Sequence, residues 1–133
     1  MLRVITGRAK GRKLRGPSAG AFRPTTGKVK EFCFSVLADK VEGARILDCF
    51  AGSGAVGIEA ISRGAREALF IEKSAGNRKI IRHNLNLCRM DNNTMIGGDL
   101  FKIAKSLGQS QEKFDIVYAD PPFQENWLKR TYH

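Results

Sequence analysis

Asp48-Cys-Phe-Ala-Gly-Ser-Gly-Ala-Val-Gly57 is the stretch whose reading decides the fold. Residues 44–50 before and into it form a short apolar run that ends in an acid and then glycines, the pattern of a buried parallel strand feeding a loop. Residues 55–63 read as a helix closed by Gly64, and residues 68–72 as a second buried strand. A strand, helix, strand unit therefore surrounds the glycines. The spacing Gly52-x-Gly54-x-x-Gly57 permits a tight turn and lets a ligand approach the backbone at a helix N-terminus.

The same alternation continues outward. Ser74 is placed to cap a helix running to about Met90, with Ile80, Ile81, Leu85, Leu87 and Cys88 on one side. A short strand at 94–97, a brief amphipathic helix at 100–107, a polar turn at 108–113 and a strand at 114–119 follow. Upstream, Pro24, Thr25 and Thr26 supply a stop and then caps for a helix to about Val41, whose expected buried face is Val29, Phe32, Cys33, Val36 and Leu37. Residues 2–6 are strand-like, and Gly7, Gly11 and Gly16 mark turns. Strands alternating with helices predict an α/β, Rossmann-like domain with an open parallel sheet flanked by helices. Right-handed crossovers then bring the loops after all four strands to one carboxyl edge, where ligand chemistry belongs.

Length and composition bound the answer. A chain of 133 residues is one domain's worth, and 42% hydrophobic with 27% charged residues, 14 Gly and 4 Pro excludes a disordered, collagenous or repeat-built protein. No apolar run approaches the roughly 20 residues that span a bilayer. The N-terminus carries no apolar segment of a signal peptide, and Cys33, Cys49 and Cys88 make no disulfide framework, so a reducing cytoplasm is expected. Net charge is +10, and almost all of it sits at the start. Residues 1–30 hold nine cations (Arg3, Arg8, Lys10, Arg12, Lys13, Arg15, Arg23, Lys28 and Lys30) and no acid, against 14 cations and 13 acids in the rest. Such clustering is the footprint of a phosphate-binding surface, because each neutralised phosphate releases condensed counterions. The expected division is a basic nucleic-acid-binding extension over 1–26 and a globular domain over 27–133.

Four strand ends carry candidate chemistry. A carboxylate at Asp48 repels a pyrophosphate but suits the cationic amino group and sulfonium of S-adenosylmethionine. Glu72 ends the second strand, where a carboxylate accepts both ribose hydroxyls of either a dinucleotide or S-adenosylmethionine. Asp99 suits the adenine amino group or, equally, the N-cap of the next helix. Asp120-Pro-Pro-Phe123 is the most specific signal, since two prolines at a strand's exit fix the backbone and leave carbonyls free to accept. The Asp120 carboxylate and Pro121 carbonyl together hold the two N–H groups of an exocyclic base amine, aiming its lone pair at a methyl group, and Phe123 stacks on the extruded base. His83 and His133 make no credible metal site or base, and no metal is expected. Cys33 and Cys88 fall on apolar helix faces and Cys49 inside a strand, which disfavours a nucleophilic thiol.

These residues carry a resemblance. Gly7-Arg-Ala-Lys-Gly-Arg-Lys-Leu14, Arg23-Pro-Thr-Thr26, Leu47-Asp-Cys-Phe-Ala-Gly-Ser-Gly54, Glu72 and Asp120-Pro-Pro-Phe123 together resemble the bacterial 16S ribosomal RNA guanine-N2 methyltransferase family, class I S-adenosylmethionine-dependent enzymes. The likeness covers nearly the whole chain. It implies S-adenosylmethionine held by Asp48, Ala51, Gly52, Ser53, Gly54, Glu72, Lys73, Asp99 and Leu100, with Glu72 on the ribose and Asp99 and Leu100 at the adenine. It implies Asp120, Pro121, Pro122 and Phe123 on the target guanine, and Arg8, Lys10, Arg12, Lys13, Arg23 and Thr25 on ribosomal RNA, within the small subunit or its assembly intermediate. Such domains continue past the last motif through a further parallel strand and a hairpin, whereas here Gln124 to His133 remain. The chain is expected to work as a monomer, although a last strand left as an apolar edge is a self-association hazard. Three other readings compete: an adenine-N6 methyltransferase, which also uses an acid or amide, two prolines and an aromatic; a non-catalytic RNA-binding or assembly factor; and a nicotinamide oxidoreductase, which leaves Asp48 and Asp120 to Phe123 unexplained.

Overall fold

The computed structural model describes residues 2–16 and 27–119. Strands β1 (Leu2–Arg3) and β2 (Lys13–Leu14) pair antiparallel. They are followed by α1 (Gly27–Leu37) with a 3-10 turn over Ala38–Val41, then β3 (Arg45–Cys49), α2 (Ala55–Ser62), β4 (Glu67–Ile71), α3 (Ala75–Leu87), β5 (Asn93–Ile96), α4 (Leu100–Gln109) and β6 (Ile116–Ala119). The last four strands form a parallel sheet in the order β5-β4-β3-β6. The α/β expectation holds, and every helix and sheet strand read from 44 onward is present within one or two residues at most ends.

Chain order in the sheet reverses at β3, between β4 and β6, and this switch point is where an open α/β sheet leaves a crevice. Register puts the strand ends level. Cys49 pairs with both Ile71 and Ala119, and Ile71 with Ile96, so the loops after β3, β4 and β5 and the exit of β6 share one edge.

Side chains alternate across the sheet as its pleat requires. Ile46, Ala68 and Phe70 face the larger core, shared with α1, α2, α3 and residues Val4, Ala9 and Leu14 of the basic segment. Leu47, Cys49, Leu69 and Ile71 face the other way, onto Leu100, Ile103 and Leu107 of α4. Among the described residues β6 is an edge strand, and its Val117 is 59% exposed.

Two faces differ from expectation. On α1, Val29, Phe32 and Val36 are exposed at 48, 69 and 66%, while Lys30 and Phe34 are buried. The reason is electrostatic: Lys30 turns inward to Glu59 of α2 at 3.4 Å and donates to the Arg3 carbonyl at 2.8 Å, which rotates the hydrophobic stripe outward. On α3, Asn77 and Asn84 occupy inner positions beside Ile81 and Leu85, and Leu87 is exposed.

The basic segment is fastened to α2. Glu59 Oε1 and Oε2 accept the N–H groups of Ile5 and Thr6 at 2.8 and 3.0 Å, and Ser62 Oγ accepts from Ala9 N–H while donating to the Thr6 carbonyl. Gly7, at φ +94°, lies so close to α2 that a Cβ would stand 1.8 Å from the Ser62 carbonyl oxygen. Gly7→Ala is therefore expected to cost about 1–3 kcal/mol and loosen the segment. Limited proteolysis checks this: cleavage within 2–16 should accelerate, and an unchanged digestion pattern would contradict the close packing.

Candidate functional site

Three loops meet on the carboxyl edge, and two buried carboxylates organise them. Asp48, 2% exposed, ends β3 and accepts from Gly57 N–H at 3.1 Å through Oδ2. The N-cap of α2 is Gly54 at φ 79°, which has no side chain to cap with, so Asp48 satisfies a first-turn donor from outside the helix. Gly57 is small because it must be: a Cβ there would meet Phe70 at 2.3 Å and the Asp48 carboxylate at 3.3 Å. Glu72, 6% exposed, follows β4 and uses both oxygens, accepting from Gly52 N–H at 2.7 Å and Ser74 N–H at 2.8 Å.

These bonds give the glycine loop its shape. Phe50, Gly52 and Gly54 have positive φ, Ala51 donates to the Ile71 carbonyl at 3.0 Å, and Gly54 donates to the Ala51 carbonyl at 2.8 Å. Ser53 is buried. The loop is thus a backbone cradle at the N-terminus of α2, suited to a ligand whose recognition is by main-chain groups and carboxylates. Glu72 N–H donates to the Ile96 carbonyl at 3.1 Å, which joins the β5 exit to the same edge.

Asp99 caps α4, accepting from Lys102 N–H at 3.2 Å, so the capping half of its expected role is realised. Leu100 is half-buried against the β3/β4 face, and Lys73 is exposed with its carbonyl accepting from Arg78. Arg8, Lys10, Arg12 and Lys13 are all exposed on the basic segment, as are Arg3 and Arg15. Lys30 is the exception among the early cations, since its charge is matched inside by Glu59. Arg23, Thr25, Asp120, Pro121, Pro122 and Phe123 lie outside the described residues. Ala119, immediately before the tetrapeptide, pairs with Cys49, two residues before the buried Ala51 of the cradle.

Burial pushes the Asp48 carboxyl up to about 8, with the neighbouring Glu72 charge adding to the rise and the Gly57 bond opposing it. In the unfolded chain an Asp titrates near 4. Between those values the folded chain holds a proton that the unfolded chain lacks, so stability falls as pH rises through that window, at no more than about 1.4 kcal/mol per pH unit. Asp48→Asn removes the slope. Melting temperature measured from pH 5 to pH 8 should therefore improve for Asp48→Asn relative to the parent as pH rises, and parallel curves would overturn the assignment. Burial also pushes the Cys49 thiol up to about 11, leaving no thiolate at neutral pH. Among the described residues no group of His, Cys, Asp and Glu is gathered for a metal, and no helix is long and apolar enough to cross a membrane.

Sequence reading missed Glu59 and Asn84. Glu59 is fully buried with Lys30 and Arg63 against it, and the available signal was a lone acid within the apolar stretch 55–61. Asn84 is fully buried, donating to the Ser53 carbonyl of the cradle at 2.9 Å and to the Arg15 carbonyl at 3.0 Å, and accepting from Arg15 N–H at 2.8 Å. Its signal was a polar residue three positions after Ile81, on the inward face.

Comparison with known proteins places this geometry. The family described as conserved hypothetical protein 95 matches residues 2–133. The chain is 38% identical over 130 residues to ribosomal RNA small subunit methyltransferase D of Escherichia coli K12, covering 98% of this chain and 64% of that protein. It is 34% identical over 129 residues to a protein of Bacillus subtilis named a putative rRNA methyltransferase, covering 96% of this chain and 70% of that one. A solved structure of a putative methyltransferase from Escherichia coli superposes with a TM-score of 0.84 at 38% identity, covering 98% of this chain and 69% of that one. The chain thus spans about two thirds of the length of the relatives it matches.

Proposed function

The chain belongs to the conserved hypothetical protein 95 family, and on that premise we propose that it transfers a methyl group from S-adenosylmethionine to the exocyclic N2 amine of a guanine in 16S ribosomal RNA. The observation that carries the reading is the glycine cradle at the sheet's switch point, braced by Asp48 and Glu72 and adjoining an exposed cationic segment. The relatives' names supply methyl transfer and, for the Escherichia coli protein, ribosomal RNA of the small subunit.

The residues present fit the cofactor. S-adenosylmethionine, when bound, supplies a methyl group made electrophilic by the sulfonium charge. The carboxylate of Glu72 keeps lone pairs beyond those used by Gly52 and Ser74, enough to accept ribose hydroxyls. Asp48, whose carboxyl is pushed by burial up to about 8, ionises beside a bound cation, so the stretch Ala51, Gly52, Ser53 and Gly54 suits a cationic amino acid moiety and not a pyrophosphate. Lys73, Asp99 and Leu100 border the adenine end, with Asp99 at the N-cap of α4.

Asp120 and the Pro121 carbonyl orient the target amine, Pro122 stiffens the exit from β6, and Phe123 stacks on the guanine. No general base is required, because the amine proton becomes acidic only after methyl transfer and leaves to water. Arg8, Lys10, Arg12, Lys13, Arg23 and Thr25 hold the ribosomal RNA backbone, within the small subunit or its assembly intermediate. The enzyme works in the cytoplasm as a monomer, without a metal, with residues 1–26 as the RNA-binding extension and 27–133 as the methyltransferase domain.

Transfer of labelled methyl from S-adenosylmethionine to unmodified small ribosomal subunits, followed by digestion to nucleosides, tests the proposal. Label in N2-methylguanosine is the expected result. Label in N6-methyladenosine would favour the adenine-directed reading, and bound cofactor and RNA without any label would favour a non-catalytic RNA-binding factor.

A further inference from the structure

Asn84 touches two segments that are remote in sequence and different in purpose. Its amide NH2 donates to the carbonyl of Ser53 in the glycine cradle, 31 residues away, and to the carbonyl of Arg15 at the end of the basic segment, 69 residues away. Its Oδ1 accepts the Arg15 N–H. The side chain is completely buried and its bond to the Ser53 carbonyl is buried with it, while the two bonds to Arg15 are part-buried. Ile81, one turn earlier on α3, packs at 3.1 Å from where a Gly54 Cβ would stand, so the same helix face backs the cradle at a second point.

A structural amide alone would not select this pair of partners. A side chain with one acceptor and two donors, all engaged, sets the distance between the cradle and the basic segment in both directions. The segment's other end is held independently by Glu59 and Ser62 of α2, the helix that begins at the cradle's Gly54. Displacement of Arg15 therefore bears on the Ser53 carbonyl through one side chain, with the far end of the segment fixed.

Resting on the function proposed above, we propose that Asn84 is a positioning residue that couples RNA on the basic segment to S-adenosylmethionine in the cradle. RNA held on the basic segment biases the position of Arg15 and, through Asn84, that of the Ser53 carbonyl, and a filled cradle acts back on Arg15 by the same route, so each ligand strengthens the other by the same factor. The side chain does not touch the reacting atoms.

The experiment measures the affinity of the whole chain for S-adenosylhomocysteine by calorimetry, with and without saturating unmodified 16S ribosomal RNA, at one fixed ionic strength. The parent is expected to bind the nucleoside about 5–10-fold more tightly when RNA is present. Asn84→Leu, of similar volume but without donors or acceptor, should bring that ratio to within twofold of one. Arg15→Pro removes the N–H donor at the surface end and leaves Asn84 in place, so it tests the link if Asn84→Leu fails to fold; it too should abolish the ratio. Loss of one cation alone weakens RNA binding but leaves the ratio at saturation intact, and Arg15→Gln, which keeps the backbone bonds, supplies that comparison. A ratio near one in the parent, or an unchanged ratio in both Asn84→Leu and Arg15→Pro, overturns the coupling. Failure of the parent to bind S-adenosylhomocysteine at all would instead strike the cofactor reading itself, a distinguishable result.

Discussion

Asp120→Ala is expected to lower the turnover of methyl transfer by about 100-fold or more while changing cofactor affinity by less than about threefold. The exocyclic amine of a purine is a poor nucleophile because its lone pair is delocalised into the ring, and attack requires that pair to point at the methyl group. In the proposed mechanism the Asp120 carboxylate and the Pro121 carbonyl do this by fixing both N–H bonds, an effect of orientation that a truncated side chain cannot supply. The proposed cofactor site lies elsewhere, at the glycine loop that Asp48 of β3 and Glu72 after β4 brace. Single-turnover rates and equilibrium binding of S-adenosylhomocysteine separate the two. Equal losses in both would show that the tetrapeptide helps build the cradle and would argue against the orienting role.

Glu59→Ala is expected to destabilise the fold by about 3–5 kcal/mol, the range found when one partner of a buried ion pair is removed. The carboxylate is fully buried, paired with Lys30 at 3.4 Å and Arg63 at 2.8 Å, and accepts from two backbone N–H groups. Its loss leaves a Lys30 ammonium that is 1% exposed, with the Arg3 carbonyl as its remaining partner among the described residues and the Arg63 charge nearby. Folded domains hold about 5–15 kcal/mol in all, so a large part of the margin goes. Thermal unfolding should shift down by about 10–20 °C. Lys30→Met should cost less, because Glu59 then keeps Arg63 and both N–H groups. A melting temperature within about 3 °C of the parent for Glu59→Ala, or a larger loss for Lys30→Met, would contradict this account.

The ion cluster also explains where the sequence reading went astray. Hydrophobic spacing on α1 pointed to Val29, Phe32 and Val36 as the inner face, yet these are exposed and Lys30 is inside. Periodicity treats a lysine as an outward residue. That rule fails when a fully buried carboxylate from another helix waits 3.4 Å away, and such a partner is visible only once two helices are packed. Asp48 and Glu72 were legible as acids at strand ends on the carboxyl edge, but their present bonds were not. Each carboxylate is engaged in holding the glycine loop and the α2 N-terminus through main-chain donors 9 and 20 residues distant.

What the amino-acid order alone determined is what depends on short range. Apolar runs bounded by glycine, polar or proline turns marked β3, β4 and β6, Ser74 and Asp99 marked the starts of α3 and α4, and alternation of these elements sufficed for a parallel sheet with its loops on one edge. Local steric and hydrogen-bonding preferences are properties of neighbouring residues, so they can be read without a fold. Only the tertiary structure decided that the basic segment is part of the core, through Val4, Ala9 and Leu14, and that Asn84 joins it to the glycine loop. Those facts depend on pairs of groups 31 to 69 residues apart, and which polar group meets which is set by packing and by the cost of leaving a buried donor unsatisfied, neither of which any single stretch of sequence contains.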